Sequence, residues 1–339
     1  MNAKLNVLVT GGAGYIGSVV SNELIKAGHR VTVFDNLSHG YAEAVPQEAT
    51  LVVGDLGDEA AIERVFSQNE FDAVMHFAAF IEAGESMQVP GKFFENNTAN
   101  ALKLLNAMTK HGVKRFVFSS TAALFGDPKR TPIEENDELN PTNAYGESKL
   151  LVERMLAWLH RIHGLRYAAL RYFNAAGATE ERGECHQPES HLIPLVLQAA
   201  DGTRKNISIF GTDYPTEDGT CVRDYIHILD LASAHVLALE ALSERDKLIY
   251  NLGNGKGYSV REVIEVARKV TGKSIEVVEA PRRAGDPAIL VASSEKIKKE
   301  LGWQPKYGDL EQIIKSAWEW KQKNPRGYKS ADVPASAAS

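Results

Sequence analysis

Between Leu5 and Ala27 the chain runs apolar strand, glycine-rich turn, then helix, and few folds accept that order. Leu5-Asn6-Val7-Leu8-Val9 leads into Thr10-Gly11-Gly12-Ala13-Gly14-Tyr15-Ile16-Gly17, and Ser18 to Ala27 reads as helix. Gly12, Gly14 and Gly17 satisfy G-x-G-x-x-G, while Gly11, Gly14 and Gly17 satisfy the related three-glycine spacing. Such a turn lets backbone N–H groups and a helix N-terminus face a pyrophosphate. A second strand, Arg30 to Phe34, ends in Asp35-Asn36, with Asp35 eighteen residues past Gly17. A carboxylate there accepts hydrogen bonds from a ribose 2′-hydroxyl and repels a 2′-phosphate. The pattern predicts NAD rather than NADP.

The alternation continues. Leu51-Val52-Val53 ends at Gly54-Asp55, and Asp58-Glu59 opens a helix to about Gln68. Ala73-Val74-Met75-His76-Phe77 runs into Ala78-Ala79, Phe93 to Lys110 reads as one long helix, and Arg115-Phe116-Val117-Phe118 ends at Ser119-Ser120-Thr121. Strands alternating with helices predict an α/β fold, a Rossmann-type doubly wound parallel sheet whose ligands sit at the carboxyl ends of the strands. The glycine loop, Asp35, Asp55, Ala78 and Ser119 to Thr121 all fall at such ends. His76, inside a strand, reads as a satisfied core histidine.

Tyr145 and Lys149 lie four residues apart at the start of a helical run, so both side chains leave one face. A free tyrosine titrates near ~10, and bringing it to about 7 takes roughly 4 kcal/mol at ~1.36 kcal/mol per unit. A nearby lysine ammonium favours the phenolate. Such a tyrosine takes a proton from a hydroxyl, with Thr121 as relay.

After the strand Tyr167 to Asn174 the pattern changes. Glycine, proline and charge dominate 175–226; helix (228–242) and strand (248–252) then return. The reading is a first domain of 1–174 rejoined by 227–254, and a smaller, discontinuous α/β domain of 175–226 and 255–325. Ser259 with Glu262 forms a capping box, and the tail 326–339 is expected to fray.

With 339 residues, 44% hydrophobic and 24% charged, the chain has the make-up of a soluble globular protein. A net charge of −6 disfavours nucleic acid and anionic membrane as partners. No signal peptide and no membrane span are visible, and the expectation is a cytoplasmic protein. Cys185 and Cys221 have neither disulfide nor metal-ligand spacing, so both read as structural and no metal is expected.

These motifs together resemble the UDP-glucose 4-epimerases, within the extended short-chain dehydrogenase/reductase superfamily. The resemblance spans residues 5 to 325. It rests on Thr10 to Ser18, Phe34 to Ser38, His76 to Ala79, Phe118 to Thr121 and Tyr145 with Lys149, which mark the superfamily. Leu170 to Asn174, Asp218 to His227 and Ala280 to Asp286 are more specific. The resemblance implies that Gly11, Gly14, Tyr15, Ile16, Gly17, Asp35, Asn36, Asp55, Leu56, Phe77, Ala78, Ala79, Asn96, Ser119, Tyr145, Lys149 and Tyr172 hold NAD. It implies that Thr121, Asn174, His191, Leu192, Arg223, Arg283, Asp286 and Leu290 face the UDP-sugar. Arginine suits a diphosphate because its guanidinium fork pairs phosphate oxygens bidentately.

Two positions depart from other members: Ile81 stands where some carry lysine, and His191 where others carry asparagine. The implied reaction interconverts UDP-glucose and UDP-galactose through a 4-keto sugar, with Tyr145, Lys149 and Thr121 catalytic. A 4,6-dehydratase would need an acid–base pair directly after Thr121, and Ala122-Ala123 stand there. A non-catalytic NAD-binding scaffold would have no need for the tyrosine–lysine pair. The resemblance also implies a homodimer through Phe93–Lys110 and Tyr145–Ile162, with Met108, Met155, Leu156 and Leu159 as candidate contacts. In the epimerases a residue shortly after Asp286 lies beside the C2 substituent of the sugar. Counting on gives Leu290, smaller than tyrosine, which predicts slower but measurable turnover of UDP-N-acetylhexosamines.

Overall fold

Strand β1 (Asn6–Thr10) is buried over Val7, Leu8 and Val9, as a strand covered on both faces must be. A computed structural model describes residues 4–283 and 286–329. After β1 come α1 (Tyr15–Lys26), β2 (Arg30–Asp35), β3 (Thr50–Val53), α2 (Glu59–Ser67) and β4 (Ala73–His76). The short turns α3 (Ala83–Ser86) and α4 (Pro90–Phe93) precede α5 (Asn100–Lys110), β5 (Arg115–Thr121), α6 (Ala144–His163), β6 (Arg166–Tyr172) and β7 (Asn174–Ala176). Next are α7 (Leu192–Asp201), β8 (Ile207–Phe210), β9 (Val222–His227), α8 (Ile228–Ala241), β10 (Lys247–Leu252) and β11 (Gly257–Ser259). The chain continues with α9 (Val260–Thr271), β12 (Val277–Ala280), β13 (Ile289–Leu290), α10 (Glu295–Leu301) and α11 (Leu310–Lys323).

Seven strands form one sheet in the order β10-β6-β5-β4-β1-β2-β3, every pair parallel. The order reverses beside β1, so the crevice at the carboxyl ends of β1 and β4 is the topological switch point where such sheets bind ligands. The period-2 alternation of the strands divides the core. Val7, Val9, Met75 and Val117 point to α1 and α8, whereas Leu8, Val74, Phe116 and Phe118 point to α2, α5 and α6. A further apolar cluster joins β8 to α7, α9 and α11 through Ile193, Ile209, Ile264 and Ile314. Near it β9 pairs with β7, β11 and β13, and β12 pairs with β8. The Ser259–Glu262 capping box at α9 forms as the sequence pattern requires.

Three expectations needed correction. The run read as one helix from Phe93 is wound as a π-helix over Phe94–Ala99 before α5 begins. The extra residue in that turn lets the Asn97 side chain bond Phe80 on both sides, accepting from its N–H at 2.9 Å and donating to its carbonyl at 3.0 Å. Strand β6 stops at Tyr172, and Asn174 opens β7 in a different sheet, where its amide donates to the Asp224 carbonyl at 3.0 Å. Finally, Tyr328, placed in the fraying tail, is buried against Tyr41 and Trp320, with ring centroids 5.1 and 5.5 Å away. The rest of that tail, 330–339, lies outside the described residues.

Candidate active site

The glycine loop bends as tightly as its spacing suggests. Gly11 has φ +74°, and a Cβ there would meet the backbone of Ala78 at the end of β4. A Cβ on Gly17 would run into the Gly11 carbonyl, so only glycine lets α1 start this close to the turn. Asp35, 8% exposed at the end of β2, accepts from the Ala13 and Leu37 N–H groups, one on each carboxylate oxygen, both at 2.9 Å. Burial raises its pKa, and those two bonds and His39 oppose the rise. Each oxygen keeps a lone pair for a ligand hydroxyl. Asp55 is held by Asn36, which donates at 2.6 Å, and by the Gly57 N–H at 2.5 Å.

One cleft is lined by Gly11, Gly14, Tyr15, Ile16, Gly17, Asp35, Asn36, Asp55, Leu56, Phe77, Ala78, Ala79, Asn96, Ser119, Thr121, Tyr145, Lys149, Tyr172, Asn174 and His191. The expected cofactor residues and the tyrosine–lysine pair therefore share one wall system. Ile81 lines it too. Leu192, Arg223, Arg283, Asp286 and Leu290 are not on that wall. Leu192 packs on the apolar cluster of α7. Arg223 donates to the Asp286 carboxylate at 2.9 Å, and Leu290 lies in register with Arg223 across β13 and β9. The Arg283 guanidinium sits 3.8 Å from the centroid of the Phe210 ring.

Tyr145 and Lys149 occupy the first turns of α6, which Asn143 caps by accepting from the Gly146 N–H at 2.8 Å. The helix is pinned from below. Glu153 pairs with Arg171 of β6 through two bonds of 2.6 and 2.9 Å, and the Ser120 hydroxyl of β5 donates to it at 2.6 Å. Lys149, 2% exposed, donates to the Ser119 carbonyl at 3.0 Å. The Ser119 hydroxyl bonds that of Tyr172.

Burial brings the Lys149 ammonium down to about 7. Burial also raises the Tyr145 phenol, outweighing the lowering hydrogen bond from Thr121, while Glu82 raises it further. An ammonium that pulls the phenol down was the expectation; the polypeptide by itself favours both groups neutral, because desolvation penalises each charge. His76 is a core residue as expected: its Nδ1 lies 2.7 Å from the Thr10 hydroxyl, and burial lowers it to about 3.

Sequence reading missed the neighbours of His191. Glu184 and His186 also line the cleft, and the Glu184 carboxylate lies 2.7 Å from the His191 Nδ1. Burial alone would lower the His191 pKa, but Glu184 and Glu189 raise it well above the usual range. The spacing Glu184-x-His186-x-x-Glu189-x-His191 was the available signal.

The model of the NAD dependent epimerase/dehydratase family matches residues 7–253. A UDP-glucose 4-epimerase of Halalkalibacterium halodurans is 52% identical over 325 residues, covering 95% of this chain and 97% of its own. The chain belongs to that family. Among solved structures, a UDP-glucose 4-epimerase superposes with a TM-score of 0.93 at 50% identity, over 96% of this chain and 99% of the other. A second, from Bifidobacterium longum in complex with NAD+ and UDP, gives 0.92 at 39% identity, over 95% and 100%. The family's cofactor is NAD, and the cleft fits it. The glycine turn leaves no room for side chains beneath a pyrophosphate, and Asp35 has acceptors to spare for a ribose. As an epimerase of this family the chain has its two candidate proton-transfer hydroxyls, Thr121 and Tyr145, in the same cleft.

Proposed function

We propose that the chain interconverts UDP-glucose and UDP-galactose by inverting C4 of the hexose. The observation that carries this reading is Thr121, Tyr145 and Lys149 lining one cleft with the glycine loop and Asp35. The Tyr145 phenol takes the proton of the sugar 4-hydroxyl and later returns it, and the Thr121 hydroxyl bonded to it relays that proton. Lys149, bonded to the Ser119 carbonyl, fixes the floor of the site. NAD, when bound, takes up and gives back the hydride and brings a positively charged ring that favours the phenolate. Asn174, Arg223, Arg283 and Asp286 would hold the UDP-sugar from the side of β7 and β9. The Arg223–Asp286 pair then has to open or to share its guanidinium with a diphosphate. Ala122-Ala123 after Thr121 supply no acid–base pair for dehydration, which supports epimerisation over a 4,6-dehydratase. Mutating Tyr145→Phe should cut kcat by about 10²–10⁴-fold with NAD still bound. Near-normal turnover in that variant would remove Tyr145 from the chemistry.

Supporting the division of the chain, 1–174 and 227–254 build the seven-stranded sheet and its helices, whereas 175–226 and 255–325 contribute most of the other apolar cluster. A homodimer through α5 and α6 is part of the same reading, with altered contacts. Met108 and Leu156 are buried in the subunit's own core, and Met155 and Leu159 pack against it. Trp158 and Ile162 are 59% and 64% exposed on α6, and they are the better candidates. Sedimentation showing only monomer at micromolar concentration would refute the dimer. A cytoplasmic location fits the reaction, and no helix among the described residues is long and apolar enough to cross a membrane.

A further inference from the structure

We propose that Glu184, His186, Glu189 and His191 form a closed, structural site for one divalent transition cation of the Zn²⁺ class. The four residues lie within eight positions of one another in the stretch leading to α7, and their donor atoms all fall within 4.8 Å of each other. The His191 Nδ1 is 2.7 Å from Glu184 Oε1 and 3.3 Å from Glu189 Oε1. The His186 Nδ1 is 3.2 Å from Glu184 Oε1 and 3.9 Å from Glu189 Oε2. Tetrahedral bonds of ~2.0–2.2 Å place neighbouring ligand atoms about 3.3–3.6 Å apart, and these separations bracket that value. Imidazole nitrogen and carboxylate oxygen are the donors such an ion takes.

A second observation points the same way. Both Nδ1 atoms are buried, yet neither makes a well-directed hydrogen bond despite the close carboxylates. The carboxylate side chains of Glu184 and Glu189 are only 7% and 6% exposed, so their charges need compensation. Glu189 is already oriented by the Ser190 and His191 N–H groups, at 2.8 and 2.9 Å. Four protein ligands leave no open position, so the ion is structural and takes no part in the hydrogen transfer. It would tie this segment, through the edge-on contact of His186 and Tyr15 at 6.3 Å, to the first residue of α1 at the cofactor loop. Cysteine spacing, the basis for expecting no metal, does not bear on this histidine–carboxylate set.

The test uses the full, untagged chain with its NAD. Elemental analysis of desalted protein is expected to give about one zinc per chain. A chelator should remove it and lower Tm by several degrees, and added Zn²⁺ should restore Tm. Co²⁺ in place of zinc should give the intense visible bands of a tetrahedral site. The variant H186A/H191A should lose the metal while keeping NAD, whereas C185S should retain both. If the double variant fails to fold, the wild-type chelator and Zn²⁺ arms decide alone. A wild-type Tm unmoved by chelator and by Zn²⁺, or full zinc uptake by folded H186A/H191A, overturns the site and leaves a histidinium–carboxylate cluster.

Discussion

Replacing Glu153 with alanine should be among the most damaging single changes outside the cleft. Its carboxylate takes two bonds from Arg171 and one from Ser120, and the two side chains of the ion pair are 6% and 3% exposed. The substitution leaves the buried guanidinium without its carboxylate, keeping only the bond from its Nη1 to the Glu135 carbonyl at 3.0 Å and a position 5.5 Å from the Phe125 ring. An uncompensated buried charge of this kind costs about 3–5 kcal/mol. Typical stabilities are ~5–15 kcal/mol, so Glu153→Ala should fold but melt well below the wild type. The ion pair itself need not be stabilising. Glu153→Leu combined with Arg171→Met removes both charges and should recover most of the loss. Thermal and denaturant melts of the wild type, Glu153→Leu, Arg171→Met and the double variant close the cycle and give the coupling energy. Activity supplies a second reading, because Tyr145 and Lys149 ride on the same helix and small misplacements cost up to about 100-fold. A cost below ~1 kcal/mol for Glu153→Ala, or a double variant no better than the single, would refute the reasoning.

Lys149 titrates near 7 in the fold and near 10.5 in the unfolded chain, so between those values the unfolded state holds the extra proton. Stability therefore rises with pH across that window, and the burial penalty is full below it. Lys149→Met should gain stability over the wild type at pH 7 and lose that gain by pH 10; parallel pH curves would show that the ammonium is not penalised. Asp35→Asn removes the buried charge proposed to meet the ribose, and should raise NADP affinity relative to NAD roughly tenfold, about 1.4 kcal/mol, in a binding titration. Leu290→Tyr should lower kcat/KM for UDP-N-acetylgalactosamine about 10-fold or more and leave UDP-galactose within about threefold. Equal losses on both sugars would show that position 290 does not gate the C2 substituent.

The parallel sheet was legible because its signals are local: apolar runs at β1, β4 and β5, running into glycine after β1, Phe77-Ala78-Ala79 after β4 and Ser119 and Thr121 at the end of β5, residues that line the cleft. The glycine turn and Asp35 were legible for the same reason, since both follow strands at a fixed distance. Features set by long-range contact were not. The π-turn at Asn96 and Asn97 exists to reach Phe80, seventeen residues earlier than Asn97, and no periodicity announces it. Tyr328 looked like tail because its partners, Tyr41 and Trp320, are distant in sequence or on another element. The charge state of Lys149 depends on how deeply α6 sinks against β5, which spacing cannot give. Met108 and Leu156 could not be told from surface apolar residues without knowing which side of their helices faces the sheet.

At Phe173 the chain leaves the seven-stranded sheet for β7, returns through α8 and β10, and leaves again for β11. Neither half of the molecule is thus a continuous piece of polypeptide. No single cut can excise the half built on β7, β9 and β11 intact, and no simple gene fusion can graft a foreign one in its place. If Arg223 and Leu290 face the sugar as proposed, substrate range in this architecture is open to point substitution along β9 and β13, which pair in register there.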